Sequence, residues 1–215
     1  RVSIGAGALV GAQRVAAEVC RIDGTLAWLA VHGAIEGVAR GVEVIVDDAA
    51  HVMPLGACAF GRAIDACGRP LDGGPPLRGR SASVKSLAPV SRSPVRAPLW
   101  SGVRSVDTLL TLGLGSRIGI FGAPGIGKST LLEMLAQSDS IDATVVALVG
   151  ERGREAQSWI SRCDGSTTIV CATSDRPAAE RWRAARVAFA QARVLCERGL
   201  DVLLLLDSLA RTAGA

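Results

Sequence analysis

The sequence predicts an α/β fold in which a parallel sheet carries helices on both faces, preceded by a small all-β barrel. Two observations predict this arrangement. Short β-rich runs with closely spaced turn signals fill the first 75 of the 215 residues, a pattern typical of small barrels. From about residue 103, uninterrupted apolar runs alternate with helical patterns, which is typical of strands that are buried on both faces of a parallel sheet.

The composition limits the class of protein. With 49% hydrophobic and 20% charged residues, the chain is too apolar for general disorder, yet no run approaches the ~20 apolar residues of a membrane helix. The six cysteines have neither C-x-x-C nor zinc-site spacing, so we expect mostly small buried hydrophobes in a reducing cytosol. His32 and His51 have no clustered carboxylate or cysteine nearby in the sequence, and we expect them to be surface or turn residues.

The barrel is predicted over residues 1–75. Its clearest element is a hairpin, because the β-rich runs 15–22 and 25–31 are separated by Asp23 and Gly24, a strong turn signal. Further short strands are expected between the glycines and prolines that follow. This first part of the chain is therefore expected to be an all-β domain.

Residues 76–100 are a predicted linker that is rich in proline and arginine. Proline fixes φ and removes a hydrogen-bond donor, so the stretch is typical of an extended, solvated connection. A basic arm for nucleic acid is the alternative. The net charge is only +4 and just 3% of the residues are aromatic, which leaves few platforms for stacking bases. We expect no nucleic-acid partner and interpret Lys85, one of only two lysines in the chain, as an incidental linker charge.

The parallel α/β domain is predicted over residues 101–215. Its strands are predicted at residues 118–121, 143–149, 167–171 and 202–206, and its helices at 129–137, 155–162 and 177–198. The last helix begins with Pro177 and is followed by Gly199, residues typical of those positions. Five apolar residues of this helix fall on one stripe at 3,4 spacing, namely Trp182, Ala185, Phe189, Ala192 and Cys196.

One loop carries the strongest chemical signal in the sequence. Residues 122–129 match G-x-x-x-x-G-K-[ST], a loop whose backbone N–H groups surround phosphate oxygens at a helix N-terminus. Lys128, the second lysine, is predicted to reach the β- and γ-phosphates of ATP as a compact point charge, and Ser129 to bind Mg²⁺. The predicted nucleotide-contacting residues are Gly122, Ala123, Pro124, Gly125, Ile126, Gly127, Lys128, Ser129 and Thr130.

Two more strand ends supply the remaining candidate site residues. The apolar run 202–206 ends in Asp207, which is predicted to hold the magnesium through water. Glu151 and Arg152 directly follow the strand 143–149. Because ligands bind at the carboxyl ends of parallel strands, Glu151 could orient and deprotonate the attacking water while Arg152 offers charge to the phosphates.

Several motifs in one order resemble the type III secretion and flagellar export ATPases, which are relatives of the rotary ATP synthase catalytic subunits. The resemblance is carried by the phosphate loop and by residues 61–73, 102–107, 150–155, 172–177 and 205–211. It implies a β-barrel followed by a RecA-like ATPase domain of the P-loop NTPase class. It further implies a homohexamer, peripheral to the inner membrane on its cytoplasmic face, that works with export-apparatus and stator proteins. Such a motor uses ATP and Mg²⁺ to release and unfold chaperone-bound substrates.

The chain also departs from that family. Ala210 stands where family members usually have Thr, and Gly214 where they often have Arg or Met. The chain stops at Ala215, before the family's arginine finger and helical C-terminal domain. Since such a finger can contribute about 10³–10⁵ in rate, we expect weak nucleotide binding and little turnover from these 215 residues alone.

Three alternatives remain beside the export ATPase. The first is a catalytic subunit of a rotary F/V-type proton-translocating ATPase, although the residues after Gly150-Glu151-Arg152 differ from the synthase pattern. The second is an RNA translocase of the Rho type, which the few aromatic residues disfavour. The third is a nucleotide-binding remnant without turnover. The sequence does not distinguish a secretion system from a flagellum.

Overall fold

The computed structural model describes residues 2–33, 38–84, 94–123, 125–163 and 165–213. Its helices are α1 (Arg104–Leu109), α2 (Lys128–Ala136), α3 (Gly153–Ile160), α4 (Ala178–Cys196) and α5 (Leu209–Ala213), with 3₁₀ turns at Asp48–His51 and Ala57–Ala59. Its strands are β1 (Gly7–Val10), β2 (Val15–Asp23), β3 (Leu26–Val31), β4 (Val44–Val46), β5 (Val52–Pro54), β6 (Arg62–Ile64), β7 (Ser81–Ser83), β8 (Pro98–Leu99), β9 (Leu112–Gly113), β10 (Ala143–Val149), β11 (Thr167–Ala172) and β12 (Val202–Asp207). No helix in the described part of the chain combines the length and apolar character that crossing a membrane requires.

The N-terminal strands form an antiparallel sheet in the order β3-β2-β1-β4. The predicted hairpin is present, since β2 pairs with β3 across a turn in which Gly24 has a φ of +56°. Glycine adopts this left-handed conformation without the steric cost that a Cβ would add. Among the described residues no pairing joins β3 to β4, so a closed barrel stays a prediction.

The parallel sheet has the order β12-β10-β11-β6, and its helices fit the predicted P-loop NTPase class. All seven residues of β10 are buried. Because successive side chains of a strand point to opposite faces, Val145, Ala147 and Val149 pack in the cluster that contains α4. Val146 and Leu148 pack in the second cluster, with Trp159 of α3 as its largest side chain. The sheet is therefore covered on both faces, as the uninterrupted apolar runs predicted.

The edge strand β6 comes from the segment expected in the barrel. It pairs in parallel with β11, Ala63 lying opposite Ile169. The turn after it is closed by Asp65, whose Oδ1 accepts hydrogen bonds from the backbone N–H groups of Cys67 (2.7 Å) and Arg69 (2.8 Å). The motif at residues 61–73 thus folds a strand and its turn against the parallel sheet, a long-range pairing that local sequence signals do not reveal.

An ion pair holds the two ends of that motif together. Arg62 donates from Nε to Asp72 Oδ2 at 2.7 Å and from Nη2 to the carbonyl oxygen of Pro75 at 2.8 Å. The hydrogen bond from Arg62 keeps the pKa of Asp72 well below its usual range. The arginine and the last acid of the motif therefore have a structural role that their types and spacing alone did not specify.

Part of the expected linker is packed rather than solvated. Leu77 and Val84 are buried in the α4 cluster, and β7 pairs with β5. Arg193 of α4 donates from Nη2 to the carbonyl oxygen of Ser83 at 2.8 Å. The interpretation of this stretch as a solvated connection is therefore wrong up to residue 84, because its few apolar side chains find a hydrophobic surface; Lys85 lies outside the described residues.

Helix α4 joins the two sheets, and only part of its predicted apolar stripe is buried. Ala185 and Ala192 are buried, but Trp182 and Phe189 are 51% and 54% exposed and Cys196 is exposed as well. Alanines on the other sides of the helix approach the sheet closely, since they have no long side chain to hold it away. The periodicity was right for a helix, but the aromatic side chains face solvent.

Polar contacts connect α4 to the 3₁₀ turn Asp48–His51, to the turn after β6 and to β2 of the antiparallel sheet. Arg183 is 3% exposed and donates to the carbonyl oxygens of Ala50 (2.7 Å) and Ala66 (2.9 Å). Arg186 donates to Glu18 at 2.5 Å. These contacts replace part of the hydration that the guanidinium groups lose on burial, while Arg183 Nη1 and Arg186 Nε are buried without a hydrogen-bond partner among the described residues.

The two histidines lie in this seam and not at the surface. His32 is 3% and His51 is 1% exposed, so the expectation of surface residues was wrong, although His51 does lie in a turn, the 3₁₀ element Asp48–His51. Burial, reinforced by the charges of Arg183 and Arg186, lowers the pKa of His32 to about 4. His32 is therefore neutral at physiological pH. The cysteine expectation also fails in part, since only Cys171 is fully buried among the six.

Candidate nucleotide site

The phosphate-loop candidate leads directly into α2. Gly125 and Gly127 have φ values of +80° and +93°, which a residue with a Cβ adopts only at a cost. Gly127 is the N-cap of α2, so the free N–H groups of the first turn point toward the loop. The described loop residues on either side of Pro124, which lies outside the described residues, are solvent-exposed.

Lys128 closes the loop on itself. Its Nζ donates to the carbonyl oxygens of Gly122 at 2.8 Å and Ala123 at 2.7 Å. An ammonium group with three donors can exchange such partners for phosphate oxygens without moving its stem far. The lysine is therefore placed inside the loop, where the motif predicts it.

The strand predicted before the loop is not formed. In the described residues no strand pairs with positions 118–121, and Ile118 and Phe121 are 56% and 90% exposed. A strand needs inter-strand hydrogen bonds to be stable, and β12 is bonded on one side only among the described strands. The prediction of a buried strand at residues 118–121 is therefore wrong for the described structure, because the segment pairs with no strand although one edge of β12 is unpaired.

The first turn of α2 meets the end of β12. Ser129 Oγ lies 3.5 Å from Asp207 Oδ2. Burial and the nearby charge of Glu151 raise the pKa of Asp207, against the opposing effects of Arg211, Ser129 and Lys128. A hydroxyl and a carboxylate at this separation are the oxygen donors that Mg²⁺ prefers, so the pair fits the predicted metal role.

The second carboxylate is held more firmly. Glu151 is 4% exposed, and Arg211 Nη1 donates a hydrogen bond to its Oε1. Burial alone would raise the pKa of Glu151, but the hydrogen bonds with Arg211 and Glu155 outweigh it and bring the pKa below its usual value. The hydrogen bond with Glu151 raises the pKa of Glu155. Of the two acids, Glu151 is thus the more readily ionised, and it is a carboxylate at neutral pH.

The sheet register brings these residues to one edge. Leu148 lies opposite Asp207 and Val149 opposite Ala172, so β10, β11 and β12 end together. The chain then turns at Gly150, whose φ is +71° and whose N–H donates to the carbonyl oxygen of Ala172 at 2.8 Å. This turn directs Glu151 to the edge that also carries Asp207, as the order of strands and helices predicted.

Arg211 and Glu155 are the site residues that sequence reasoning missed. Arg211 was part of a quoted motif, but nothing local pairs it with Glu151, which is 60 positions away. Its signal was position, since α5 begins immediately after the β12 edge and places the fourth residue after Asp207 back over it. Arg152, predicted to face the phosphates, is exposed as the N-cap of α3, and its charge opposes the rise in the pKa of Glu155.

The arrangement combines three chemical functions at one edge of the sheet. The loop offers backbone N–H groups and Lys128 to anionic oxygens. Ser129 and Asp207 offer oxygen ligands to a cation, and Glu151 is an ionised acceptor for a proton. This set suits the hydrolysis of a nucleoside triphosphate, in which positioning and charge stabilisation supply most of the catalysis.

Comparison with known proteins gives the same direction. Residues 102–215 match the ATP synthase alpha/beta family, nucleotide-binding domain. The chain is 42% identical over 206 residues to the SPI-2 type 3 secretion system ATPase of Salmonella typhimurium, covering 93% of this chain and 48% of that protein. It is 38% identical over 208 residues to the flagellum-specific ATP synthase of Treponema pallidum, covering 93% and 46%.

A solved structure is similar over the whole chain. The assembled ATPase EscN from the type III secretion system of enteropathogenic E. coli matches with a TM-score of 0.85 and 35% identity, covering 100% of this chain and 54% of that one. EscN has also been solved in complex with its central stalk EscO. The chain spans about half the length of the curated relatives that it matches.

Proposed function

Because this chain belongs to the ATP synthase alpha/beta family, we propose that it is part of the ATP-hydrolysing motor of a type III protein secretion or flagellar export apparatus. The family match covers the nucleotide-binding domain, and relatives of both kinds share 42% and 38% of their aligned residues with it. The observation that carries the proposal is the meeting of Ser129, Glu151 and Asp207 from three separate elements at one edge of the sheet.

The binding step uses the loop. The N–H groups of residues 125–130 and the ammonium of Lys128 would hold the phosphates of ATP, with Lys128 leaving its two carbonyl partners for phosphate oxygens. Ser129 directly, and Asp207 through water, would hold Mg²⁺, which neutralises phosphate charge when bound. The exposed loop gives the nucleotide free access to these groups.

The hydrolytic step uses Glu151. As a carboxylate it would accept a hydrogen bond, and then the proton, from the water that attacks the γ-phosphate. Arg211 holds Oε1 of Glu151; we therefore assign Arg211 a positioning role. Arg152, at the start of α3, would add positive charge near the phosphates.

For the whole protein we propose a homohexamer that is cytoplasmic and peripheral to the inner membrane. The support is the likeness to EscN, which assembles and binds a central stalk. Export-apparatus and stator proteins, and chaperone-substrate complexes that are released and unfolded at the expense of ATP, are the proposed partners. A subunit of a rotary proton-translocating ATPase is the alternative that the family match also allows.

A second candidate is a nucleotide-binding protein without turnover. Lys128 and Glu151 both have partners within the chain, and the segment before the loop has no strand beside it in the described region. These observations favour weak binding and slow hydrolysis by this chain alone. Robust phosphate release that depends on Lys128 would contradict that expectation.

The deciding experiment measures binding and turnover separately. A fluorescent ATP analogue is titrated into the wild-type chain, Lys128→Ala and Glu151→Gln in the presence of Mg²⁺, and phosphate release is followed in parallel. We expect Lys128→Ala to weaken binding at least about tenfold, the value of one strong charge-assisted contact, and Glu151→Gln to bind normally but not to hydrolyse. Binding that is unchanged in Lys128→Ala would refute the nucleotide site.

A further inference from the structure

A second cleft lies beside the candidate nucleotide site. It has a volume of about 200 Å³ and opens between α3, the end of β11, the turn after β6 and the first turn of α4. Its polar side chains are those of Asp65, Gln157, Thr173, Arg176 and Glu180, and Ala156 and Ile160 are among its apolar ones. None of its lining residues belongs to the phosphate loop or is assigned to the hydrolytic site.

Glu180 is the unusual member of this cleft. It is the third residue of α4 and only 6% exposed, yet in the described residues it has no hydrogen bond and no ion pair within 4.0 Å. Leaving a buried carboxylate without a partner is costly. Burial raises its pKa, and the charges of Arg176 and Arg69 only partly oppose this. A positively charged group that entered the cleft would remove the cost.

The shape and chemistry of the cleft favour an organic cation. In the part of the chain that the structure describes, no group of three or more His, Cys, Asp or Glu residues could hold a metal ion. A volume of about 200 Å³ is instead suited to the end of one long side chain. Ala156 and Ile160 would pack along its methylene groups, as long basic side chains allow. The carboxylates of Glu180 and Asp65 would accept hydrogen bonds from its planar head.

We propose that this cleft receives an arginine side chain from a second copy of this chain. The chain is basic, with a net charge of +4, and all but two of its 24 Lys and Arg residues are arginines. An acidic cleft on a basic molecule is complementary to another copy of that molecule. Because an arginine of one copy would enter the cleft of the next, the contact is heterologous, and contacts of this type can close into rings.

An arginine bound in the cleft would contact segments that position Glu151 in the neighbouring nucleotide site. Gly153 lines the cleft and begins the helix that follows Glu151 and Arg152. Thr173 also lines it, and the next residue, Ser174, donates its N–H to the carbonyl oxygen of Glu151 at 3.0 Å. The arginine would thus contact the two segments that hold the backbone around Glu151.

The first test measures binding of a probe and does not depend on ATP. Nα-acetyl-L-argininamide is titrated into the wild-type chain, and amide chemical shifts of Ala156 and Thr173 are followed by NMR. We expect saturable shifts that Glu180→Gln weakens roughly tenfold, the scale of a hydrogen bond to a charged group. Arg176→Gln removes a like charge from the cleft and should strengthen binding roughly two- to fivefold.

The matched control is Glu197→Gln, near the other end of α4, where the side chain is 67% exposed; it should leave probe binding unchanged. Glu180→Gln should not lower the thermal midpoint, because it removes a buried charge without a partner. Wild-type chain that shows no saturable shift, or equal weakening in Glu197→Gln, would overturn the site.

The second test identifies the source of the arginine. Sedimentation velocity over a range of protein concentrations should show self-association that Glu180→Gln weakens by a similar factor and that the probe competes away. Glu197→Gln should associate as the wild type does. A chain that remains monomeric at all concentrations, or whose association ignores both the probe and Glu180→Gln, would overturn the assignment to a second copy. A loss of ATP binding in Lys128→Ala with unchanged probe binding would show that the two sites are separate.

Discussion

The two halves of the candidate nucleotide site are held in different ways. The carboxylate half, with Glu151 and Asp207, grows from the fully buried strand β10 and its neighbour β12, and Arg211 holds Glu151 in place. The loop half lies at the surface, and none of the nine residues of α2 that follow it is fully buried. Lys128 bonds to the loop itself, and Leu132 and Ala136 of α2, both only partly buried, pack against the second cluster.

The two halves therefore differ in how much of the fold their chemistry requires. Phosphate binding depends on backbone N–H groups and one ammonium, so a short motif specifies it almost alone. Placing a general base requires residues that are distant in sequence to meet with a defined protonation state. The loop half can therefore be exposed without losing its chemistry, whereas the carboxylate half requires the fold.

The largest expected effect is on stability, and it contrasts a buried side chain of the carboxylate half with an exposed side chain of the loop half. Leu148→Ala removes a side chain with 0% exposure from the sheet beside Asp207, and it should lower the free energy of unfolding by about 3 kcal/mol. Met134→Ala on α2, where the methionine is 47% exposed, should cost less than about 1 kcal/mol. Urea denaturation of both variants measures this. Equal losses would mean that α2 is as firmly packed as the sheet.

Low pH should lower the free energy of unfolding through His32, which is buried beside α4. Its pKa of about 4 in the folded chain lies below about 6.5 in the unfolded chain, so the unfolded state binds the proton first and stability falls as the pH drops. Between pH 7 and pH 4.5 this should remove about 2 kcal/mol. His32→Leu should remove that part of the pH dependence in urea denaturation. An unchanged pH slope would show that other groups of the α4 seam are responsible.

Removing Arg211 should weaken the carboxylate half without touching the loop. In Arg211→Gln the lost hydrogen bond should cost 1 to 2 kcal/mol at neutral pH and raise the pKa of Glu151, because burial then acts with less opposition. Stability from the depressed pKa is present above the unfolded value and lost as the pH falls, so the variant should be less sensitive to acid. Carboxyl NMR titration of Glu151 reads out the change, with Arg154→Gln, an exposed neighbour, as control.

The smallest effect on stability is expected in the loop. Gly127→Ala places a Cβ on a residue with a φ of +93°, which costs about 1 kcal/mol if the conformation is kept. Because the loop is exposed, it can relax, and the loss of unfolding free energy should be smaller than that. Binding of the fluorescent ATP analogue should nevertheless weaken clearly, since the N–H groups lose their alignment. Normal affinity in this variant would mean that the loop conformation is not what binds phosphate.

Local patterns predicted the elements that are buried by their own region. The strand at Ala143–Val149 has the predicted ends, and α4 differs from its prediction by one or two residues. An uninterrupted apolar run and a helix with Pro and Gly at its ends need little context. Helix α2 begins at Lys128 and ends at Ala136, one residue before the predicted bounds at each end, directly after the glycine-rich motif.

Features that depend on distant partners were not predictable. The residues 118–121 read as a strand, but pairing decides whether a strand forms. The burial of His32 and the exposure of Trp182 both depend on how α4 lies between the sheets. The contact between Arg211 and Glu151 needed the register of β10 and β12, which no local signal contains.

Helix α4 links the second cleft to distant parts of the fold. Its 19 residues form a rod roughly 28 Å long at about 1.5 Å per residue. Its first turn lies by the second cleft, and further along Arg186 and Arg193 are fastened to Glu18 and Ser83. Between these points the alanines of the helix pack against β10 of the parallel sheet. The same helix therefore contacts the parallel sheet, the antiparallel sheet through Glu18 and the β5-β7 pair through Ser83, and it links three parts of the fold in one element.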